Sequence, residues 1–161
     1  MRPPVRLLPL LALALSLAAS LPVRAEQAPQ APLPQQGTVL LGGRVRVRVE
    51  VAVTEEEKAR GLSGRAGLPP GTGMLFPYPA PGFRSMWMRE MRFPLDFLWI
   101  RDGRVVDLFE EVPPPAPGET PRTVASPEPA QAILEVPAGF IRTHRLRRGD
   151  AAEVRLDRKS P

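Results

Sequence analysis

Cysteine is absent from this 161-residue chain. Its absence excludes disulfide bonds, zinc sites with thiolate ligands, iron–sulfur clusters, thiol nucleophiles and a lipid anchor on an N-terminal cysteine. Aromatic residues are also few, at 6%, whereas hydrophobic residues make up 43% and charged residues 24%. These proportions are typical of a single globular domain and by themselves indicate no particular reaction.

Histidine occurs only once, at His144, in surroundings that suit neither catalysis nor metal binding. The arginines of the segment 142–148 disfavour a protonated imidazole and a bound dication. No serine after residue 25 lies on the sharp strand-to-helix turn that presents a nucleophile. These serines are Ser63, Ser85, Ser126 and Ser160. We therefore expect no serine–histidine–acid triad, no metal site and no cofactor.

Residues 1–25 have the pattern of a secretory signal peptide. The first six residues carry two arginines and no acid, and residues 7–19 form a short apolar run. Val23 and Ala25 then lie where signal peptidase would cut, before Glu26. The run is shorter than the ~20 residues needed to cross a bilayer. We expect an extracytoplasmic protein, periplasmic or secreted, with an uncleaved N-terminal anchor as the alternative.

The charge of the chain depends strongly on this segment. The whole chain has a formal net charge of +5, but residues 1–25 contribute three arginines and no acid, so the remainder carries +2. This small excess in an exported protein argues against nucleic acid as a partner. A small molecule, a glycan and a protein all remain open as partners, as does the oligomeric state.

The rest of the chain divides into a linker, a domain and a tail. Residues 26–37 are rich in proline and glutamine and predict an extended tether. A β-rich domain is expected over residues 38–157, followed by a short tail at 158–161. The domain opens with two strands, at 38–41 and 44–53. In the second of these, valines alternate with mostly polar residues.

One helix is clearly marked after these strands. Thr54 and Glu57 have the spacing of a capping box, which predicts a helix over residues 55–63. The three consecutive glutamates at its start complement the helix dipole better than they would bind a metal, because no further oxygen ligands follow at a calcium-loop spacing. The helix is therefore a structural element.

The remaining elements are short strands. The sequence predicts them at 74–76, 85–91, 95–100, 105–111, 132–136 and 151–156. The proline-rich residues 112–129 are expected to form a surface excursion with no packed element of its own. The resulting fold class is mostly β (α+β): one compact domain, as a small, mostly antiparallel barrel or sandwich with one capped helix.

Two acidic residues lie on strands that are otherwise apolar. Asp96 shares a strand face with Leu98 and Ile100, and Glu135 shares one with Ile133. A carboxylate in such surroundings needs a partner or an opening to water. Acid–base chemistry by the two carboxylates is one interpretation. Ion pairs that set strand register, with Arg65, Arg89 or Arg92 as partners, are the other.

The segment around Trp87 is the second candidate for a site. Trp87 and Arg89 share one side of an extended stretch, and an indole beside a guanidinium can form a stacking surface for a sugar or a planar ligand. The neighbouring methionines Met86, Met88 and Met91 are equally consistent with a hydrophobic core.

Several of these stretches together resemble the family called domain of unknown function 192 (DUF192), a group of small bacterial and archaeal proteins that often carry signal peptides. The matching motifs are Arg60-Gly61-Leu62 with Arg65, Leu68, Gly73-Met74-Leu75-Phe76, Trp87-Met88, Pro94-Leu95-Asp96, Asp102-Gly103, Leu134-Glu135-Val136-Pro137-Ala138-Gly139 and Gly149-Asp150. Ser63 replaces the family's usual methionine, and residues 89–91 replace a lysine-asparagine-threonine-like stretch.

The resemblance implies a compact β-rich domain with no established reaction. The family motifs include Arg65, Trp87, Asp96 and Glu135, and we expect these residues to converge on one shallow cleft, where Gly73 permits close approach of the backbone. The leading hypothesis is a non-enzymatic binding or accessory module that uses this cleft, including Arg89. The alternatives are a hydrolase of an extracellular polymer that uses Asp96 and Glu135, and a purely structural or partner-binding domain.

Overall fold

The computed structural model describes residue 33 and residues 35–157. The expected signal peptide, most of the expected tether and the tail lie outside these residues. The described part forms nine strands and two short helices: β1 (Gln36–Leu41), β2 (Val45–Val51), α1 (Glu55–Arg60), β3 (Thr72–Gly82), β4 (Ser85–Trp87), β5 (Leu95–Arg101), β6 (Arg104–Val112), β7 (Thr123–Ala125), β8 (Ala130–Pro137), α2 (Phe140–His144) and β9 (Ala152–Leu156).

Seven strands form one curled sheet in the order β6-β5-β8-β3-β2-β1-β9, and β4 pairs with β7 in a small second sheet. All neighbouring strands are antiparallel except β2 and β3, which are parallel. The two ends of the large sheet meet at an isolated bridge between Arg104 and Ala151. The mostly β fold class is confirmed, with a barrel-like curl.

The large sheet is covered by apolar side chains on both faces. The alternating valines of β2 pack inside the curl, together with Leu98 and Ile100 of β5. Phe97 and Trp99 of β5 lie on the opposite, outer face, where the β4–β7 sheet and the chain around α1 pack. Because adjacent residues of a strand point to opposite faces, β5 and β8 contribute to both clusters.

The helix α1 begins where the capping box predicted it. The Thr54 hydroxyl accepts a hydrogen bond from the N–H of Glu57, and the Glu57 carboxylate accepts one from the N–H of Thr54. The helix ends at Arg60, earlier than predicted, because Gly61 adopts φ 49° and leaves the helical path. No helix in the described part of the chain is long and apolar enough to cross a membrane.

The expectation about the proline-rich segment 112–129 is wrong. This excursion contains β7, whose Val124 is buried and pairs with Met86. The strand β3 is also longer than the predicted 74–76 and continues through a proline-rich stretch, where its register with β8 shifts between Pro77 and Gly82. A break in register can accommodate prolines, which have no N–H for the ladder.

The chain before residue 38 is also attached to the domain. β1 begins at Gln36, and the side chain of Leu33 is buried in the outer cluster. The N–H of Leu33 donates to Glu50 Oε2 at 2.7 Å, and the Gln35 side chain donates to the backbone oxygen of Asp157. The described end of the expected tether is therefore part of the fold.

Candidate functional site

Asp96 lies on the inner face of β5 and is fully buried. One carboxylate oxygen accepts hydrogen bonds from the N–H groups of Glu111, at 2.7 Å, and Gly139, at 3.2 Å. The other accepts from the N–H of Ile141, at 2.8 Å. Three backbone donors satisfy the carboxylate and tie β6 and the start of α2 to β5. Asp96 is therefore a structural anchor.

Glu135 lies in the middle of β8, and its side chain is on the outer face. It stands opposite Met74 of β3 and Phe97 of β5, both members of the outer apolar cluster. Only 4% of its surface is exposed, and Oε2 has no hydrogen-bond partner among the described residues. Burial raises the pKa of Glu135 to about 8, against the attraction of the Arg65 guanidinium. The acid is therefore largely protonated at neutral pH.

The two carboxyl groups do not share a cleft. Asp96 pairs across the strands with Val136, an inner-face residue, whereas Phe97 pairs with Glu135. Directly opposed residues of neighbouring strands point to the same face, so Asp96 and Glu135 lie on opposite faces of the sheet. The expectation that Asp96 joins the other motif residues in one hollow is corrected by this register.

Arg65 forms its ion pair with a different acid, Glu50. Its Nη1 donates to Glu50 Oε1 at 2.5 Å and its Nη2 to Glu50 Oε2 at 2.8 Å, in a two-pronged ion pair. Burial acts to raise the pKa of Glu50, but the hydrogen bonds from Arg65 and from the N–H of Leu33, with the positive charge of Arg65, hold it below its usual value. Arg65 thus affects Glu135 by its charge and not by direct pairing.

Glu135 and Trp87 line the same pocket on the outer face. The pocket has about 220 Å³ of empty space, part of which is open solvent, and its enclosed part has room for little more than a water-sized group. Its walls come from the end of α1 and the turn after it, from β3, β4 and β8, and from the turn after β4. The lining residues are Lys58, Arg60, Gly61, Leu62, Ser63, Phe76, Met86, Trp87, Met91 and Glu135.

Trp87 is an exposed residue of this pocket, and Arg89 lies beside it. Trp87 is 47% exposed, and the Arg89 guanidinium lies 5.1 Å from the centre of its ring. The Ser63 hydroxyl donates to the backbone oxygen of Arg89 at 2.9 Å, which ties the turn after α1 to the turn after β4. Trp87 and Arg89 are therefore adjacent, as expected, whereas Met86, Met88 and Met91 are core residues.

Gly73 is needed for strand packing and does not line the pocket. A Cβ atom on Gly73 would lie 2.6 Å from the backbone oxygen of Glu135 and would also meet Leu134 and Val47, which are inner-face residues. The close approach that Gly73 permits is therefore between β3 and β8. It lies on the face of the sheet opposite the Glu135 side chain.

Sequence analysis missed Lys58 and Arg60 as pocket residues. Both occur in the last turn of α1, where a basic residue is usual because it complements the helix dipole, so neither is conspicuous in the sequence. Lys58 Nζ bonds Glu55 Oε1 at 2.9 Å and lies 4.8 Å from the centre of the Tyr78 ring. Within residues 33 and 35–157, no group of three or more acidic or histidine side chains is placed to bind a metal.

Comparison with known proteins places the chain in a family. The DUF192 family, described as "Uncharacterized ACR", matches residues 38–154. A solved structure described as a candidate transcription regulator from Sinorhizobium meliloti 1021 has a TM-score of 0.70 and 29% identity, covering 78% of this chain and 97% of its own. A protein of unknown function from Novosphingobium aromaticivorans DSM 12444 has a TM-score of 0.64 and 29% identity, covering 84% and 99%. The comparison with curated proteins finds no match. The chain belongs to the DUF192 family, as its motifs predicted.

Proposed function

We propose that this protein is a non-enzymatic, extracytoplasmic binding module and that the pocket beside Glu135 receives a polar group of its ligand. One observation carries the proposal: among the described residues the buried Glu135 Oε2 has no hydrogen-bond partner, and Glu135 lines a pocket together with the half-exposed indole of Trp87. A buried polar atom without a hydrogen bond costs about 1–3 kcal/mol. A ligand that supplies the missing bond recovers part of this free energy on binding.

The composition of the pocket also favours binding. Its walls combine apolar side chains with a few polar ones, which is the usual make-up of a small-molecule site. Trp87 provides a rigid surface that need not lose much conformational entropy when a ligand stacks on it. The ligand classes that fit are a small molecule, a glycan and a side chain of a protein partner.

The two carboxylates that the hydrolase alternative requires do not lie at one site. Asp96 lies on the opposite face of the sheet and accepts three backbone hydrogen bonds, so it is not positioned to assist Glu135. Among the described residues that line the pocket, Glu135 is the only acid. The structural alternative accounts for Asp96 but leaves Glu135 unexplained, which is why binding is the function we favour.

The extracytoplasmic location rests on residues 1–25. Expression of the full chain in a bacterium, followed by cell fractionation and mass measurement, tests it. We expect a periplasmic or secreted product that begins at Glu26. Recovery of the full-length chain in the cytosol would refute export, whereas a full-length chain in the membrane fraction would support the anchored alternative.

Methionine methyl signals offer a direct test of binding. Met86 and Met91 line the pocket, whereas Met88 is fully buried and does not line it. Protein with ¹³C-labelled methionine methyl groups is titrated with monosaccharides, amino acids, nucleosides and amines. We expect at least one compound to shift the signals of Met86 and Met91 in a saturable way, with Met88 less affected.

Variants identify the residues responsible. We expect Glu135→Gln and Trp87→Ala each to weaken the binding that wild type shows, because one alters the hydrogen bond in the pocket and the other removes the stacking surface. Phe83→Ala is the matched control, since Phe83 is a 75% exposed aromatic residue that does not line the pocket. Equal binding by wild type and both pocket variants, or no saturable shift with any compound, would overturn the proposal.

A further inference from the structure

Given the proposed binding function, the size of the pocket limits the class of ligand that it can bind. The space inside the pocket that Glu135 lines, called the slot below, accepts little more than a water-sized group. A hydroxyl group is that size and can both donate and accept hydrogen bonds, so it meets Glu135 whichever oxygen carries the proton. A methyl group of the same size would leave Oε2 without a bond. The slot therefore favours a hydroxyl.

The surface next to the slot suits a sugar ring. The indole of Trp87 is about half exposed, and an apolar ring face can pack on it while hydroxyl groups at the ring edge stay in contact with water or with polar side chains. A ring that lies on Trp87 can direct one of its own hydroxyls toward Glu135, since both residues line the same pocket. One molecule can thus engage both groups.

The charge around the pocket favours an acidic ligand. Arg60 lines the pocket and is exposed, and the Arg89 side chain is 59% exposed beside Trp87. Lys58 is paired with Glu55 and Arg89 with Glu90, so both contribute less net charge than Arg60. Guanidinium groups bind carboxylates with two parallel hydrogen bonds. A ring stacked on Trp87 therefore has two guanidinium groups nearby, Arg60 in the pocket wall and Arg89 beside the indole.

We infer that the pocket binds an acidic saccharide: a ring hydroxyl enters the slot against Glu135, the ring lies on Trp87, and the sugar's carboxylate pairs with Arg60 or Arg89. An organic cation is the competing ligand, because a carboxylate beside an indole can also hold an ammonium group. The cations Arg60 and Arg89 oppose such a ligand, and Glu135 would have to lose its proton to pair with it.

The protonation state of Glu135 makes the two ligand classes distinguishable. The charged and titratable groups that act on Glu135 or line its pocket are Arg65, Tyr78, Lys58 and Arg60. Arg65 is neutralised by Glu50. Since the pKa of Glu135 is raised to about 8, an acidic sugar binds best below that pH and loses affinity as Glu135 ionises above it. An amine shows the opposite dependence.

The test compares the methyl glycosides of glucuronic acid and glucose, with choline as the cationic probe. Titrations of the wild-type protein at pH 6.5 and pH 9 are followed by the methyl signals of Met86 and Met91. We expect glucuronate to bind about two- to fivefold more tightly than glucose at pH 6.5, as one partly exposed charge pair allows. Affinity for glucuronate falls at pH 9.

The variant Arg60→Ala/Arg89→Ala is expected to lose the preference of wild type for glucuronate over glucose. Arg155→Ala is the matched control, because this exposed arginine lies on β9 and pairs with Glu153. Equal affinity for the two sugars, a preference for choline at the same methionines, or failure of both sugars to bind would overturn the inference. Saturable choline binding at Met86 and Met91 would still support the proposed binding function. If no compound shifts either methyl signal, both the inference and the proposed function are refuted.

Discussion

The ionisation of Glu135 makes the stability of the protein depend on pH, and Glu135→Gln removes that dependence. In the folded protein burial raises the pKa of Glu135 from 4.5 to about 8. Between these two pH values the folded state binds a proton that the unfolded state has released, so the free energy of unfolding decreases as pH rises. Above the folded pKa the loss is complete and stays constant.

The magnitude follows from the size of the shift. Each pH unit in this window costs about 1.4 kcal/mol, so the full interval costs about 5 kcal/mol. Glutamine keeps the shape of the side chain and cannot ionise. We therefore expect the free energy of unfolding of wild type, relative to Glu135→Gln, to fall by about 4 kcal/mol between pH 5 and pH 8.5.

Urea unfolding of both proteins at pH 5, 6, 7 and 8.5 measures this difference. Glu110→Gln serves as the control, because Glu110 is an exposed residue of β6 and its loss should leave the pH dependence of wild type unchanged. A relative stability that stays constant within about 1 kcal/mol across the series would refute the argument, since Glu135 would then ionise as it does in water.

Three further substitutions test the structural assignments. Asp96→Asn should lower the free energy of unfolding by about 2–4 kcal/mol in urea titrations, because an amide replaces an acceptor of three N–H bonds; a change below about 0.5 kcal/mol would contradict its role as an anchor. Gly73→Ala should cost about 1–3 kcal/mol by the same assay, because the new methyl group meets the backbone oxygen of Glu135 at 2.6 Å, and a neutral effect would show that β3 and β8 separate easily. Glu50→Gln should reduce the loss of stability on acidification, since the hydrogen bonds of Arg65 hold the pKa of Glu50 low and wild type loses that contribution as pH falls through the folded pKa. Parallel acid-unfolding curves for wild type and this variant would disprove the last assignment.

Local patterns in the sequence were sufficient for most of the secondary structure and for the family. The alternating valines of β2 and the capping box of α1 depend on neighbours a few residues away, so their structures follow from local rules. The small strand β7 was missed because its three residues lie among prolines and become a strand only by pairing with β4. Export stays a prediction, since residues 1–25 lie outside the described part of the chain.

The arrangement of the candidate site could not be predicted from local sequence patterns alone. The face that each acid occupies on its own strand was predicted correctly: Asp96 lies with Leu98 and Ile100, and Glu135 with Ile133. Whether those two faces are on the same side of the sheet depends on the register between β5 and β8, which no local pattern contains.

The sequence by itself thus determined most of the strands, the helix start, the family and the presence of two acids among apolar neighbours. Only the tertiary structure decided that Asp96 is satisfied by backbone donors, whereas Glu135 Oε2 has no hydrogen-bond partner among the described residues. The physical reason is that the state of a buried carboxyl depends on what surrounds it in space. For these two residues the surroundings come from β6, α2 and the turn after α1, far apart along the chain.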